Sequence, residues 1–294
     1  MKKIQTSSPF TWIMDDLSKG RFVRTYKRGG INGYKRYIPL KKVYDVLERC
    51  NIKHPRVLRN RLTYIDIEFI EGSNLPENFK KSLMLNLFCT TLFELGTVNC
   101  SSIMKYIPYR DNNGYLNDIV NNLILVLDHL NNYDLLGQLG LRKENILSLK
   151  SMELDNTRPL ALIHGDFSPG NIIMRVNDYY IIDWELATYG DIAYEIAMHL
   201  MFFEYDDEQK TIMFERISQT LNLDINTLVR DVKIYTKFEL LRRTFLKLNR
   251  AINLAKKGRP FDDILIDGYR YYEQLNGPLS MEDMRNRLRD LYRG

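Results

Sequence analysis

The 294 residues are 45% hydrophobic and 27% charged, which is enough apolar material to bury the core of one large or two modest domains. The net charge of +5 permits nucleic-acid binding, but no recognised motif or basic-aromatic tract accompanies it, so we expect no nucleic-acid partner. Three cysteines without C-x-x-C spacing predict neither a disulfide framework nor a zinc site, and we expect a reducing, cytoplasmic location. There is no apolar run of about 18 residues, and the first residues lack the apolar core of a signal peptide, so no membrane partner is expected.

The first segment has the pattern of a small sheet with one helix. Short β-like runs at residues 10–14 and 21–26 are separated by a polar stretch that suits a hairpin loop. After Pro39, apolar side chains recur at spacings of three and four, which predicts a helix packed on the sheet. Further β-like runs at residues 56–58 and 62–70 complete the predicted sheet.

Most of the remaining chain has helical periodicity. Residues 79–95 and 115–130 each carry leucines on one apolar face, as core helices do. The spacing after residue 197 predicts further helices at residues 210–221, 225–254, 262–275 and 281–292. Before them, an apolar strand at residues 160–163 is followed by a hairpin that spans residues 172–182 and turns at residues 177–178.

Two acids and an amide stand at the ends of those strands. Asp166 follows the apolar strand, Asn171 precedes the hairpin and Asp183 follows it, so we expect the three side chains to converge. Transfer of a γ-phosphoryl group needs a carboxylate that accepts or orients the attacking hydroxyl, and oxygen ligands that hold Mg²⁺ against the nucleotide phosphates. Asp166 fits the first role, and Asn171 and Asp183 fit the second. Phosphoryl transfer is therefore the leading hypothesis.

Each of these residues also has an ordinary structural interpretation. Asp and Asn are frequent in turns, and an acid at the end of a strand needs no chemistry to explain it. Asp191 is best explained as the N-cap of the helix that follows it, so we interpret it as a support residue. A lone histidine such as His164 is more often a structural residue than a general base.

The combined motif resembles that of the aminoglycoside phosphotransferase and choline kinase family. The loop at residues 164–171 reads H-G-D-x-x-x-x-N, and the strand at residues 182–185 reads I-D-W-E, as in that family. Residues 190–197 resemble its G-D-x-x-x-D-[LI]-A pattern, with Glu195 where Asp is usual. The substrate-binding helices of the family are its most variable part, so the motif leaves the acceptor undefined.

The resemblance implies an α+β, two-lobed protein-kinase-like fold. A small, mainly antiparallel β N-lobe would comprise residues 1–72 and bind the nucleotide. A larger helical C-lobe would comprise residues 73–294 and hold the catalytic and acceptor sites. The resemblance also implies that Asp166 is catalytic, that Asn171 and Asp183 bind Mg²⁺, and that ATP is the phosphate donor, with GTP not excluded.

The resemblance extends to candidate phosphate contacts in the N-lobe. Arg24 aligns with the family's phosphate-pairing lysine, although Arg is not equivalent to Lys, and Lys27 is the nearest lysine. Ser7 and Ser8 stand where a phosphate-covering loop is expected, but no glycine accompanies them. These four residues are the predicted phosphate contacts.

The strand that ends at residue 70 resembles the family's hinge. The backbone of Glu68, Phe69 and Ile70 would bind the adenine edge, and Phe69 or Ile70 would cover the ring. An alternating edge strand is the structural alternative. A second register would use the glycines at residues 29–33 as the phosphate loop and Lys35 as the cation, but a hairpin turn explains those glycines better.

Charge along the chain gives a first indication of the acceptor. The first 75 residues are basic, which suits nucleotide phosphates, whereas residues 76–229 are acidic and suit a cationic acceptor. The acidic cluster at residues 204–208 is better explained as solvated surface. We expect an ATP-dependent small-molecule kinase that phosphorylates a hydroxyl of an amino sugar or aminoglycoside, a choline-like amine or a related metabolite.

Two other functional classes stay open. A non-catalytic pseudokinase or binding module would keep the fold and lose phosphate contacts, which Arg24 and the short first loop favour. A kinase that acts on a protein would use the same pair of acids, but the chain lacks D-F-G and A-P-E elements. The sequence does not indicate an oligomeric state.

Overall fold

The fold, taken from a computed structural model, is described for residues 2–5, 11–16, 20–26, 30–31, 34–76, 79–130, 132–175, 178–275 and 277–293. Within these ranges, no helix is both long and apolar enough to cross a bilayer. An antiparallel sheet comes first in the chain, and a largely helical part follows it. This order of elements matches the one that the sequence predicted.

Five antiparallel strands form the first sheet, in the order β1-β2-β3-β7-β6. In chain order, the elements of this part are β1 (Lys2–Gln5), β2 (Thr11–Asp16), β3 (Gly20–Tyr26), β4 (Gly30–Ile31), β5 (Tyr34–Lys35), α1 (Leu40–Leu47), β6 (Val57–Asn60) and β7 (Tyr64–Glu68). Strands β4 and β5 pair with each other in a separate hairpin. Gly30 and Lys35 face each other in this hairpin, as the sequence favoured.

The two faces of the sheet have different neighbours. Ile65 and Ile67 of β7 join the core that contains Val43 and Tyr44 of α1. Successive side chains of a strand lie on opposite faces of a sheet. Asp66, between the two isoleucines, therefore lies on the face away from α1. Arg24 of β3 lies opposite Asp66 across the two strands, so the two side chains share that face.

A short connection joins the sheet to the helical part. Strand β8 (Ser73–Asn74) follows β7 and pairs with Ile173 and Met174 of the second part. A Cβ atom at Gly72 would lie 2.4 Å from the Met174 carbonyl oxygen, so this close approach requires glycine. The segment predicted as a hinge thus leads directly into the strand that pairs with the predicted hairpin at residues 172–182.

Helices dominate the rest of the chain. They are α2 (Lys81–Thr97), α3 (Ser101–Met104), α4 (Asn112–Asp128), α5 (Tyr133–Gln138), α6 (Lys143–Leu147), α7 (Ile192–Phe202), α8 (Asp207–Leu221), α9 (Ile225–Lys256), α10 (Asp262–Gln274) and α11 (Met281–Arg293). The strands among them are β9 (Ala161–Ile163), β10 (Ile172–Arg175), β11 (Asp178–Ile181) and β12 (Thr188–Gly190). Strands β10 and β11 form the predicted hairpin, and β9 pairs with β12. Helices α7 and α10 both pack against the long helix α9.

Helix caps account for part of the acidic cluster at residues 204–208. Asp206 and Gln209 form a reciprocal capping box at the start of α8. The side chain of Asp207 is fully exposed. This placement agrees with the interpretation of the cluster as solvated surface.

Candidate functional site

The loop that carries Asp166 begins where β9 ends. Gly165 has φ +77°, and a Cβ atom there would lie 2.8 Å from the Leu186 carbonyl oxygen, so the turn requires glycine. The Gly165 N–H donates a 2.8 Å hydrogen bond to Oε2 of the buried Glu195. These contacts fix the backbone that positions the Asp166 side chain.

Asn171 lies against the Asp166 carboxylate. Its Nδ2 donates hydrogen bonds to the Asp166 carbonyl oxygen at 2.8 Å and to Asp166 Oδ2 at 3.0 Å. Both bonds use the amide nitrogen, so the amide oxygen is left as a ligand for a metal ion. Burial raises the pKa of Asp166, and the hydrogen bond from Asn171 opposes that rise.

His164 links this loop to the strand that leads to Asp183. Its Nδ1 accepts a 3.2 Å hydrogen bond from the Asp166 N–H, so the ring proton is on Nε2, which donates to the Ile182 carbonyl oxygen at 2.9 Å. The ring is fully buried, and burial lowers the pKa of His164 to about 4. A neutral ring with both nitrogens engaged positions the loop, in agreement with the structural interpretation of this residue.

Asp183 reaches Asn171 through the β10–β11 hairpin. The Ile182 N–H donates a 2.9 Å hydrogen bond to the Asn171 carbonyl oxygen, which places Asp183 one residue beyond the pairing. Asp183 has φ +61°, a left-handed conformation that costs a non-glycine residue about 1–2 kcal/mol. Burial, with repulsion from Glu185 and Asp166, raises the pKa of Asp183 to about 7. Backbone strain and a raised pKa at one residue are typical of functional sites.

The predicted ligand set fits Mg²⁺. It consists of the Asp183 carboxylate and the Asn171 amide oxygen, and Mg²⁺ is commonly held by one or two carboxylates together with phosphates and water. The raised pKa of Asp183 indicates a buried carboxylate whose charge is incompletely compensated, and a divalent cation would compensate it. Across the ranges that the structure describes, no cluster of three or more His, Cys, Asp or Glu side chains suggests a different metal site.

Arg36 is a functional candidate that the sequence did not reveal. Its Nε donates to the Glu185 carbonyl oxygen at 2.9 Å, and its Nη2 lies 3.4 Å from Glu185 Oε2. Its Nη1 is buried and has no hydrogen-bond partner among the described residues. Its positive charge also interacts with Asp183. One feature of the sequence could have drawn attention to Arg36: the adjacent Lys35 is the phosphate-binding cation of the second register.

Arg24 is paired within the first sheet. Its Nε and Nη2 donate to the two carboxylate oxygens of Asp66 at 2.7 and 2.8 Å, and its guanidinium carbon lies 3.9 Å from the centre of the Tyr64 ring. This pair lies on the sheet face away from α1, whereas the segment that follows Asp183 contacts α1. The structure therefore does not bring Arg24 to Asp183, and a phosphate contact by Arg24 stays a prediction.

The predicted adenine-binding segment lies where β7 ends. The Glu68 N–H donates to the Arg56 carbonyl oxygen at 2.9 Å, so that N–H is already used. The Phe69 ring lies 5.1 Å from the Arg21 guanidinium, and Ile70 is buried. Adenine binding by this segment stays a prediction. Outside the described residues lie the remaining predicted phosphate contacts, Lys27, Ser7 and Ser8.

A cavity of about 520 Å³ opens beside Asp166, between the catalytic loop, α7 and α9. Its lining residues are Gly165, Asp166, Ser168, Leu186, Met198, Phe202, Arg242, Arg243, Leu246, Lys247 and Arg250. The four cationic residues in this set all come from α9. Because the cavity reaches the predicted catalytic carboxylate, it is the candidate acceptor site.

Asp191 has the support role that the sequence predicted. Its Oδ1 accepts a 2.9 Å hydrogen bond from the Ala193 N–H, which caps α7. Arg158 donates two hydrogen bonds of 2.8 Å to the same carboxylate, and the Tyr235 hydroxyl donates a third at 3.1 Å. Arg158 also donates to the buried Asp231 of α9 at 2.8 Å. This buried group fixes the start of α7, which Asp191 caps, against α9.

The comparison with protein families gives a match over the region that contains the candidate site. Residues 112–219 match the model of the phosphotransferase enzyme family. This segment includes Asp166, Asn171 and Asp183. The resemblance to the phosphotransferase family is confirmed.

Curated relatives of this family match the chain over part of their length. A methylthioribose kinase of Bacillus cereus (strain AH187) is 28% identical over 127 residues, which are 37% of this chain and 32% of that protein. A methylthioribose kinase of Bacillus thuringiensis (strain Al Hakam) is 32% identical over 91 residues, which are 28% of this chain and 23% of that protein. The chain thus spans about a third or less of the length of these curated relatives.

Solved structures of phosphotransferases share the fold. An ethanolamine kinase of Plasmodium vivax gives a TM-score of 0.64 at 17% identity, over 90% of this chain and 78% of that chain. The choline kinase LicA of Streptococcus pneumoniae, in complex with AMP, gives 0.62 at 13% identity, over 94% and 91%. The GDP and kanamycin complex of APH(2")-IIia gives 0.58 at 16% identity, over 92% and 91%. The predicted protein-kinase-like fold is confirmed.

Proposed function

We propose that the protein is an ATP-dependent kinase that transfers the γ-phosphate to a hydroxyl group of a small molecule. The observation that carries this proposal is the convergence of Asp166, Asn171 and Asp183, which are joined through the hydrogen bonds of the loop and the hairpin. These residues provide one base and two metal ligands, the parts that phosphoryl transfer needs. The family match over the same segment supports the proposal.

In this proposal, Asp166 accepts the proton of the acceptor hydroxyl. The hydroxyl oxygen forms a bond to the γ-phosphorus, the bond from that phosphorus to the β–γ bridging oxygen breaks, and ADP leaves. Burial raises the pKa of Asp166, so its carboxylate is a stronger base than an exposed one, and Asn171 holds it in place. Mg²⁺ held by Asn171 and Asp183 would offset the charge of the nucleotide phosphates. Arg36 adds a positive charge beside Asp183 and fixes Glu185.

Nucleotide binding can be tested by thermal unfolding. Saturating Mg·ATP should raise the Tm by a few degrees, because a ligand at a hundred times its Kd adds about 2.7 kcal/mol of stability. Asp183→Asn should lose the Mg²⁺-dependent part of this rise. Asp207→Asn is the matched control, since it removes a fully exposed acid on α8, and it should keep the rise. Mg·GTP in parallel reports donor preference.

Phosphoryl transfer can be tested with Asp166→Asn. The amide keeps the size of the side chain but cannot accept a proton, so acceptor-dependent ADP release should fall by about 100-fold or more. Mg·ATP binding should persist, because the proposed role of Asp166 concerns the acceptor. Near-normal turnover in this variant would refute the catalytic assignment. Nucleotide binding by the unaltered protein without transfer to any acceptor would favour the pseudokinase alternative.

The relatives indicate which acceptors to screen first. Their names specify methylthioribose, ethanolamine and choline, and one of the structures contains kanamycin. The sequence also favoured amino sugars and choline-like amines. Apart from methylthioribose, these compounds are cationic at neutral pH, whereas four cations line the cavity beside Asp166. This difference in charge argues for a further class of acceptor.

A further inference from the structure

One wall of the cavity beside Asp166 is basic. It is formed by Arg242, Arg243, Lys247 and Arg250 of α9. Residues three and four apart lie on the same face of a helix, so Arg243, Lys247 and Arg250 form one stripe along about two turns, and Arg242 lies beside its first residue. Among the described residues that line the cavity, Asp166 is the only acidic one.

A carboxylate behind this wall holds two of the arginines. The buried Glu239 accepts hydrogen bonds from Arg242 Nε at 2.9 Å, from Arg242 Nη2 at 2.8 Å and from Arg243 Nε at 3.3 Å. The Tyr194 hydroxyl donates to the same carboxylate at 2.9 Å. Because one carboxylate faces two guanidinium groups, these three charged side chains together are positive. Glu239 therefore positions the arginines without cancelling their charge.

The basic wall continues along α9 beyond this group. Lys247 pairs with Asp267 at 2.7 Å, but their side chains are 33% and 44% exposed, so water screens the pair. Arg250 is exposed and forms no hydrogen bond or ion pair with any residue of the described ranges. From Arg243 to Arg250 the helix rises by about 10 Å, at 1.5 Å per residue. The stripe is thus long enough to follow a ligand away from Asp166.

A role in stabilising the Asp166 carboxylate explains only part of the basic wall. Arg242 and Arg243 interact electrostatically with Asp166 and favour its ionised form. Lys247 and Arg250 lie about one and two turns further along α9, where that role does not require them. A ligand with negative charge at the far end of the cavity explains their position.

We propose that the acceptor is a hydroxyl compound that carries an anionic group, either a carboxylate or a phosphate. This inference rests on the proposed function. Arg243, Lys247 and Arg250 bind the anionic group while the hydroxyl lies at Asp166. A guanidinium group suits both anions, because its parallel N–H donors match two of their oxygens. The Arg243 guanidinium is already held 4.8 Å from the centre of the Phe202 ring, which reduces its freedom before the ligand binds.

Matched sugar probes can test the charge of the acceptor. Glucose 6-phosphate and glucuronate carry a phosphate and a carboxylate on a scaffold that is neutral in glucose and cationic in glucosamine, and inorganic phosphate tests the anion alone. Each probe is titrated into protein saturated with Mg·ADP, which keeps the nucleotide site filled, and binding is followed by calorimetry. We expect the anionic probes to bind at least tenfold more tightly than glucose and glucosamine, and added salt to weaken them. Equal or tighter binding of glucosamine, or no binding of any anionic probe, would overturn the proposal.

Substitutions on α9 locate the binding site. Arg243→Gln and Arg250→Gln should each weaken binding of the anionic probes about tenfold or more, whereas Arg243→Lys should retain more of the affinity because it keeps the charge. Arg289→Gln removes an exposed arginine of α11 that does not line the cavity, and it should leave the affinity unchanged. Unchanged affinity in both Gln variants of α9 would overturn the assignment.

The same titrations separate this inference from the proposed kinase function. Stabilisation by Mg·ADP alone reports the nucleotide site. If Mg·ADP binds and the anionic probes do not, the acceptor class is wrong and the kinase proposal stands. If the anionic probes bind through α9 while Mg·ADP does not bind, the basic site stands and the kinase proposal fails. Carboxylate and phosphate are distinguished by whether glucuronate or glucose 6-phosphate binds more tightly and promotes ADP release from Mg·ATP.

Discussion

Replacement of Glu195 by glutamine should remove a pH-dependent loss of stability. Glu195 is 1% exposed, and burial raises its pKa to about 7. Its Oε2 accepts the hydrogen bond from the Gly165 N–H, and its Oε1 is buried without a hydrogen-bond partner in the described part of the chain. The folded protein therefore favours the uncharged carboxyl, and glutamine is the neutral side chain closest to it in shape.

The sign and size of the effect follow from linkage between protonation and folding. A glutamate in the unfolded chain loses its proton near pH 4.5, whereas Glu195 in the folded protein keeps it until about pH 7. The stability that Glu195 contributes is therefore fully present below pH 4.5 and is lost as the pH rises to 7. Between pH 5.5 and 8 the free energy of unfolding should fall by about 2 kcal/mol through this one group, at 1.36 kcal/mol per pKa unit.

Urea denaturation of the unaltered protein and of Glu195→Gln, between pH 5.5 and 8 and without nucleotide or Mg²⁺, measures this difference. The variant should gain about 2 kcal/mol relative to the unaltered protein over that range. Its amide nitrogen would lie unpaired where Oε1 now lies, which costs about 1–3 kcal/mol at every pH, so the change with pH is the diagnostic quantity. Glu215→Gln on the exposed face of α8 controls for loss of one charge. A difference that stays constant with pH would refute the reasoning, since Glu195 would then be ionised throughout.

Three further perturbations test other parts of the site. Gly165→Ala should destabilise the protein by at least about 1–2 kcal/mol in urea denaturation, because the position is left-handed, and unchanged stability would contradict the turn described here. Arg158→Met should cost about 3–5 kcal/mol in the same assay, since the buried Asp191 carboxylate loses its ion-pair partner among the described residues and Asp231 keeps only Arg230; a loss below about 1 kcal/mol would show that the group does not hold α7 against α9. Mg²⁺-dependent nucleotide affinity, measured by calorimetry, should rise with pH by up to tenfold per unit below pH 7, because Asp183, the proposed metal ligand, must lose its proton to bind the ion, and Asp183→Asn should abolish this dependence.

Elements with long hydrophobic periodicity could be predicted closely from the sequence. The helix predicted at residues 225–254 is observed as Ile225–Lys256, and the strand predicted at residues 21–26 is observed as Gly20–Tyr26. The catalytic loop was equally accessible, because an apolar strand, a glycine turn and a short hairpin are all local features. The side chains of Asp166 and Asn171 are five residues apart, so their contact needs no long-range information.

Ionic contacts between distant segments could not be predicted from local spacing. Arg24 and Asp66 are separated by 42 residues and meet because of the register between β3 and β7. Arg36 and Glu185 are separated by 149 residues and meet because the segment after Asp183 packs beside α1. The motif therefore predicted that Asp166, Asn171 and Asp183 converge, and their metal and catalytic roles stay predictions. The position of Arg36 beside them depends on how the sheet packs against the helical part.

The charge of the acceptor cavity also depends on tertiary packing. The acidic excess at residues 76–229 suggested a cationic acceptor, but its acids near residue 206 cap a helix or face solvent. The basic residues of α9 belong to a different segment, and the sequence does not show which face of that helix lines the cavity. The sum of charges along a segment is therefore a poor guide to the charge around a site.

Asp166 lies between two environments of opposite charge. On one side lie the carboxylates of Asp183 and Glu185, whose pKa values are raised by burial first and then by repulsion from neighbouring carboxylates. On the other side, α9 presents its basic wall to the cavity. A nucleotide should therefore need Mg²⁺ to approach the acidic side, whereas an anion on α9 should not. Inorganic phosphate should bind equally well with Mg²⁺ and with EDTA, and Arg250→Gln should weaken it in both. If removal of Mg²⁺ abolishes phosphate binding together with ADP binding, the two anions share one site. The acidic and basic sides of Asp166 would then not separate the nucleotide from the acceptor.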